Sequence, residues 1–210
     1  LEGIIYKTFD NYVVLRGFAY LSEIAKVSIK SESYQRDADD LHKKDIVNFL
    51  HSGRYSYFPD VILACRADNY SSFISKIGND NDVDFSDVHY VDGLTVLKEY
   101  LPVKNHRARH AYLDINSNKR LMRIDGNHRL EPFDEKIEWW YDFLDIPDYI
   151  QNETDDLKKN GWLNNAAKEY RNEIGKKIIP FTIIFTQEDN AEDFEAGIFH
   201  NINFKHLPLK

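Results

Sequence analysis

The run Val61-Ile62-Leu63-Ala64-Cys65 is apolar at every position, and this constrains the fold more than any other stretch of the chain. A strand with one wet face alternates apolar and polar residues, whereas a strand apolar throughout must be covered on both faces. A covering element precedes it. Asp37-Ala38-Asp39-Asp40 supplies an acidic N-cap and first turn for a helix that carries Leu41, Ile46, Val47, Phe49 and Leu50 and closes at Gly53. Phe58-Pro59-Asp60 then turns the chain into the strand. A helix followed by a doubly covered strand predicts an α/β fold, with a mixed sheet flanked by helices. The 210 residues suit one domain, and 14% aromatic content suits a packed core rather than a disordered segment.

Other elements follow from the same patterns. Tyr12 to Phe18 reads as a strand. Residues 68–105 contain the turn-rich Gly78-Asn79-Asp80-Asn81-Asp82 and a short helix over Leu94 to Tyr100, and read as a variable insertion. Ala111 to Ile115 and Arg120 to Ile124 read as a hairpin joined at Asn116-Ser117-Asn118, delivering the chain into Asp125-Gly126. Beyond lie an aromatic stretch with Trp139, Trp140, Tyr141 and Phe143, a long polar helix from about Glu153 to Lys177, and a strand from Ile178 to Phe185. A last helix begins near Asn190, buries Phe194, Ile198 and Phe199, and gives out at Asn201-Ile202-Asn203.

Cys65 is the single cysteine, so no disulfide framework exists and a buried, reduced thiol is expected. No stretch approaches a membrane span, and the opening residues lack the halves of a signal peptide, which predicts a cytoplasmic protein with no membrane partner. The chain starts at Leu1 and stops after Lys210, as a piece trimmed from a longer protein would. The net charge of −8 opposes unaided binding to a nucleic-acid backbone. One basic island stands against that balance. Lys104, Arg107, Arg109, Lys119, Arg120, Arg123 and Arg129 face only Asp114 and Asp125, and this 104–129 island is the candidate DNA contact.

Asp125-Gly126-Asn127-His128-Arg129 is the stretch richest in chemistry. A glycine between a strand and a helical turn lets backbone N–H groups approach an anion. Arg129 adds a fork of donors matched to phosphate oxygens, and His128 a group able to shuttle a proton near neutral pH. Asp125 serves equally as a ribose ligand, a metal ligand or a cap of the turn. On spacing alone, a capped turn with Arg129 paired to a surface acid explains the same residues. Tyr34-Gln35-Arg36, just before the first helix, is placed to meet the same ligand from the other side. Tyr34 as a hydrophobic staple and Arg36 as an ordinary surface charge are the alternative.

The ordered set Tyr34-Gln35-Arg36, Phe58-Pro59-Asp60, Ile124-Asp125-Gly126-Asn127-His128-Arg129, Ile179-Pro180-Phe181, Phe199-His200-Asn201-Ile202-Asn203 and Leu207-Pro208-Leu209 resembles the DGQHR-domain family. That family includes DndB-like proteins of DNA-modification systems and is related to the ParB/sulfiredoxin fold. The resemblance implies a ParB/sulfiredoxin-like domain that binds a nucleoside triphosphate with Mg²⁺, and a place in DNA modification or phage defence beside protein partners of such a system. It assigns ligand-binding roles to Tyr34, Gln35, Arg36, Gly126, Asn127, Arg129, Asn201 and Asn203, and catalytic roles in a candidate nucleoside triphosphatase to Asp125 and His128. For Asn201 and Asn203, helix C-capping is the alternative.

Two departures matter. Asn127 replaces the family's glutamine and shortens its reach, and at the position where sulfiredoxin carries its cysteine it cannot form a thiol intermediate. Glu131-Pro132-Phe133 interrupts the small-residue helix that usually follows the motif. The sequence has no Walker loop to strengthen a hydrolase reading. A DNA-binding regulator using the basic island and a non-catalytic assembly domain are the competing functions.

Overall fold

A computed structural model describes residues 1–8, 12–35, 39–53, 58–67, 88–90, 95–102, 108–115, 121–187 and 191–204. Nine strands among them form one mixed sheet: β1 Glu2–Lys7, β2 Val13–Tyr20, β3 Ser28–Lys30, β4 Val61–Ala67, β5 Val88–Tyr90, β6 Thr95–Pro102, β7 Ala108–Ile115, β8 Leu121–Asp125 and β9 Ile178–Gln187. Their order is β3-β8-β4-β9-β2-β1-β7-β6-β5. The helices are α1 Leu21–Val27, α2 Asp40–Ser52, α3 Asn127–Leu130, α4 Asp148–Gln151, α5 Asp156–Gly175 and α6 Ala191–Phe204, with 3-10 segments at Glu131–Phe133 and Ile137–Phe143.

The apolar run becomes β4, as its pattern requires. It lies parallel to β9, with Val61 opposite Phe181 and Ala67 opposite Gln187, and antiparallel to β8 on its other edge. Val61, Leu63 and Cys65 join Phe181, Ile183 and Phe185 of β9 in the main core, where Ile24 of α1, Val47 and Leu50 of α2, Trp140, and Ala167 and Ile174 of α5 cover them. The opposite face of β4 meets α6, whose Glu195 takes the Arg66 guanidinium. Both faces of the strand are therefore occupied. On α2, Asp39 caps the first turn by accepting from the His42 amide, while Leu41 stands exposed rather than in the core. The long polar helix is α5, capped by Asp155, and Cys65 is buried and in no disulfide.

Three sequence expectations are corrected. Residues 95–102 form a strand, not a helix, because β5 and β7 supply ladder partners on both edges and Thr95, Val96, Leu97 and Tyr100 suit a pleated surface. The presumed insertion thus contributes strands to the sheet. Ala111–Ile115 and Leu121–Asp125 are not a hairpin: β7 pairs with β1 and β6, β8 with β3 and β4, and four strands separate them. Their burial explains the separation. Residues 111–114 of β7 alternate buried and exposed, fitting a sheet with one covered face, whereas Leu121, Arg123 and Ile124 of β8 are buried and need the doubly covered part. Finally, the last helix continues past Asn201 and Asn203 to Phe204. No helix among the described residues is long and apolar enough to cross a membrane.

Candidate functional site

Strand β8 ends at Asp125, and the chain bends at Gly126 with φ 84° and ψ 11° before α3 begins. That left-handed conformation suits glycine. A Cβ at this position would lie 2.9 Å from Arg129 Nη2 and 3.1 Å from Val61 Cγ2. The missing side chain lets Arg129 fold back over the bend. Its Nη2 donates to Asp125 Oδ2 at 3.0 Å and to the Asp60 carbonyl at 3.3 Å, its Nη1 donates to the Pro59 carbonyl, and its Cζ sits 5.2 Å from the Phe58 ring centroid. Burial lowers the guanidinium pKa, opposed by the nearby Asp125 and Asp60 carboxylates. Arg129 therefore pins the motif to the entry of β4, alongside any ligand role.

Beneath the motif lies a buried polar network. Arg123 has 0% exposure; its guanidinium donates to Ser28 Oγ at 3.0 Å, to the Ser28 carbonyl at 3.2 Å, to Asn127 Oδ1 at 3.3 Å, and to Asp134 at 2.5 and 3.0 Å. Asn127 in turn donates to Glu131 Oε1 at 2.7 Å, and Glu131 Oε2 stands 3.6 Å from His128 Nδ1. Arg123 was counted in the basic island, and here the structure corrects the sequence reading. A fully burdened interior guanidinium offers nothing to DNA. Lys104, Arg107, Lys119, Arg120 and the Arg109 side chain lie outside the described residues.

Tyr34 and Gln35 clip the end of β8. Gln35 Nε2 donates to the carbonyls of Arg123 at 2.8 Å and Ile124 at 3.0 Å, while its Oε1 is buried without a hydrogen-bond partner among the described residues. Tyr34 Oη lies 3.1 Å from the Arg123 carbonyl and 3.2 Å from Oε2 of Glu195. Glu195 is fully buried and receives two bonds of 2.9 Å from Arg66. Sequence reading missed this pair. The available signal was an acid one position from Phe194 and three before Ile198, on the apolar stripe of α6.

Burial, then the Glu195 carboxylate, raises the Tyr34 pKa above its ordinary value. A raised folded-state pKa means the phenol contributes its full stability below about pH 10 and loses it as pH climbs toward the folded value. Stability should accordingly decline above that pH, and Tyr34→Phe should flatten part of the decline in chemical denaturation run from pH 8 to 11. An unchanged slope would remove Tyr34 from the linkage.

A cleft of about 370 Å³ opens beside the bend. Ile46 and Phe49 of α2, Phe58, and Phe199 of α6 give it apolar walls; Gln35, His42, Asp125, His128, Arg129 and Asn203 give it polar ones, with Gly126 between. His128 is half exposed, and its ring meets that of His42 edge-on at 5.6 Å. The contact of His42 with His128 is not legible in the sequence, because the two are distant in the chain. Asn203 donates to the Phe199 carbonyl at 2.9 Å within α6, and Asn201 is exposed and does not line the cleft. Arg36 lies outside the described residues. The structure therefore gathers Gln35, Asp125, Gly126, Asn127, His128, Arg129 and Asn203 around one cavity, with Tyr34 supporting it from behind. Among the described residues, no group of three or more His, Cys, Asp or Glu side chains is arranged to hold a metal ion.

No protein-family model, curated protein or solved structure matches this chain. The fold is α/β with a mixed sheet.

Proposed function

We propose that the cleft beside Gly126 binds a nucleotide, in a DNA-modification or phage-defence role of the kind implied by the resemblance to the DGQHR-domain family. One observation carries the reading: a single cavity joins an aromatic wall of Phe49, Phe58 and Phe199 to a polar wall of His42, His128 and Arg129. A base packs against the first, and ribose and phosphates meet the second. Its volume falls in the range of small-molecule sites. Mg²⁺ in this reading arrives on the phosphates, with Asp125 the carboxylate lining the cleft; one carboxylate plus phosphate oxygens is an ordinary magnesium environment. Hydrolysis would use Asp125 to position water and His128 to move a proton, and is the weaker half of the proposal because Asp125 is already paired with Arg129. Duplex DNA as ligand is weakened by the interior placement of Arg123.

Thermal unfolding with a panel of nucleoside triphosphates, with and without Mg²⁺, tests the reading. Ligand at a hundred times its Kd should add about 2.7 kcal/mol to the folded state. His128→Ala should lose that stabilisation while the unliganded protein stays within about 0.5 kcal/mol of the parent, since the side chain is half exposed. A panel without any shift would sink the proposal.

A further inference from the structure

Arg123 stands between the cleft and a second cavity: its partner Asn127 lines the first, and its partner Asp134 lines the second. This groove, about 700 Å³, runs between α1 with β3 on one side and α5 on the other. Ser22, Ala25 and Lys26 face it from α1, and Lys168, Arg171 and Asn172 from α5, both sets at the i, i+3, i+4 spacing that shares one helical face. The helices converge at Gly175, where a Cβ would come within 2.8 Å of Ser22 Cβ.

The charge of the groove runs against that of the whole chain. Lys26, Lys30, Lys168 and Arg171 line it in a protein of net charge −8. The acid lining it, Asp134, already grips Arg123 with both oxygens. Glu23, Glu169 and Glu173 of the same helices are not lining residues. Among the described residues, no carboxylate lies within ion-pair distance of Lys26, Lys168 or Arg171. Arg171 is also held in place: it donates to the Phe133 carbonyl, and its Cζ lies 5.9 Å and 6.0 Å from the ring centroids of Phe133 and Trp140. Burial lowers its pKa, opposed by the nearby Asp134 carboxylate.

We infer that this groove binds an oligophosphate, either a free phosphate chain or the backbone of a nucleic-acid strand. A single phosphate would engage one or two of the cations. Lys26, Lys168 and Arg171 along one groove, with Ser22 and Asn172 as neutral donors, match several phosphates in a row. The inference is independent of the nucleotide cleft, because it uses none of that cavity's lining residues.

The test is titration calorimetry of the whole chain at low salt with sodium tripolyphosphate and, separately, with a short single-stranded oligonucleotide. Both lysines to be changed are exposed, so K26E/K168E should fold. It should weaken binding by roughly tenfold or more, and added salt should weaken binding to the parent protein steeply. The charge-matched control K158E/K159E, at the other end of α5, should stay within about twofold of the parent. Tighter binding of the strand assigns the site to nucleic acid, and tighter binding of tripolyphosphate assigns it to free oligophosphate. Absence of binding by the parent protein would overturn the inference. So would an equal loss in the control, or binding that survives in K26E/K168E and disappears in His128→Ala, which would place the anion in the cleft.

Discussion

Asp134→Ala should cost about 3 kcal/mol of folding stability, the lower end for breaking a buried pair because the Asp134 side chain is itself half exposed, read as a fall in the urea midpoint at constant slope. The Arg123 guanidinium has no solvent exposure, and Asp134 supplies its two-pronged negative partner. Removing that carboxylate leaves an interior cation held only by neutral acceptors on Ser28, Ala25 and Asn127. Stranding a charge is far more costly than replacing the whole pair. The double variant Arg123→Met/Asp134→Ala should therefore be more stable than Asp134→Ala alone, and the coupling in that cycle measures the pair directly. A loss below about 1 kcal/mol for the single variant would contradict the burial of Arg123.

Gly126→Ala comes next, at about 2–3 kcal/mol. A left-handed backbone costs a non-glycine residue about 1–2 kcal/mol, and crowding a packed site adds about 1 kcal/mol or more. Gly53 separates these two parts. It too has a positive φ, 62°, but a Cβ there would meet nothing within 4 Å. Gly53→Ala should show the backbone part alone. The difference between the two substitutions reports the displacement of Arg129, which a Cβ at 126 would contact. Equal losses would mean that Arg129 moves aside freely and does not pin the bend.

Features written in local pattern were legible before any coordinates. The apolar run became β4, the acidic stretch before Leu41 capped α2, and Asp125-Gly126 fell at a strand end. Features that depend on partners were not. Thr95 to Tyr100 has a composition open to either helix or strand, and only β5 and β7 decide it. The false hairpin arose because β7 and β8 are neighbours in sequence, whereas their burial patterns send them to different parts of the sheet. The motif residues gather at one cleft, but the interactions among them were not legible. Arg129 bonds to Pro59 and Asp60 from 69 or 70 residues away, and Glu195 reaches Arg66 across 129 residues. Such pairings leave no periodic trace in a sequence.

Strand β9 separates β4 from β2, so the last strand in sequence among the described residues sits inside the sheet. During synthesis, β1 to β8 emerge before the piece that joins them. Until Ile178–Gln187 leaves the ribosome, β3, β8 and β4 form one raft and β2, β1, β7, β6 and β5 another, each with a bare edge. A chain halted before Ile178 should therefore aggregate or be degraded rather than persist as a smaller folded protein, and the motif at the end of β8 should gain its final shape only once β9 has been made.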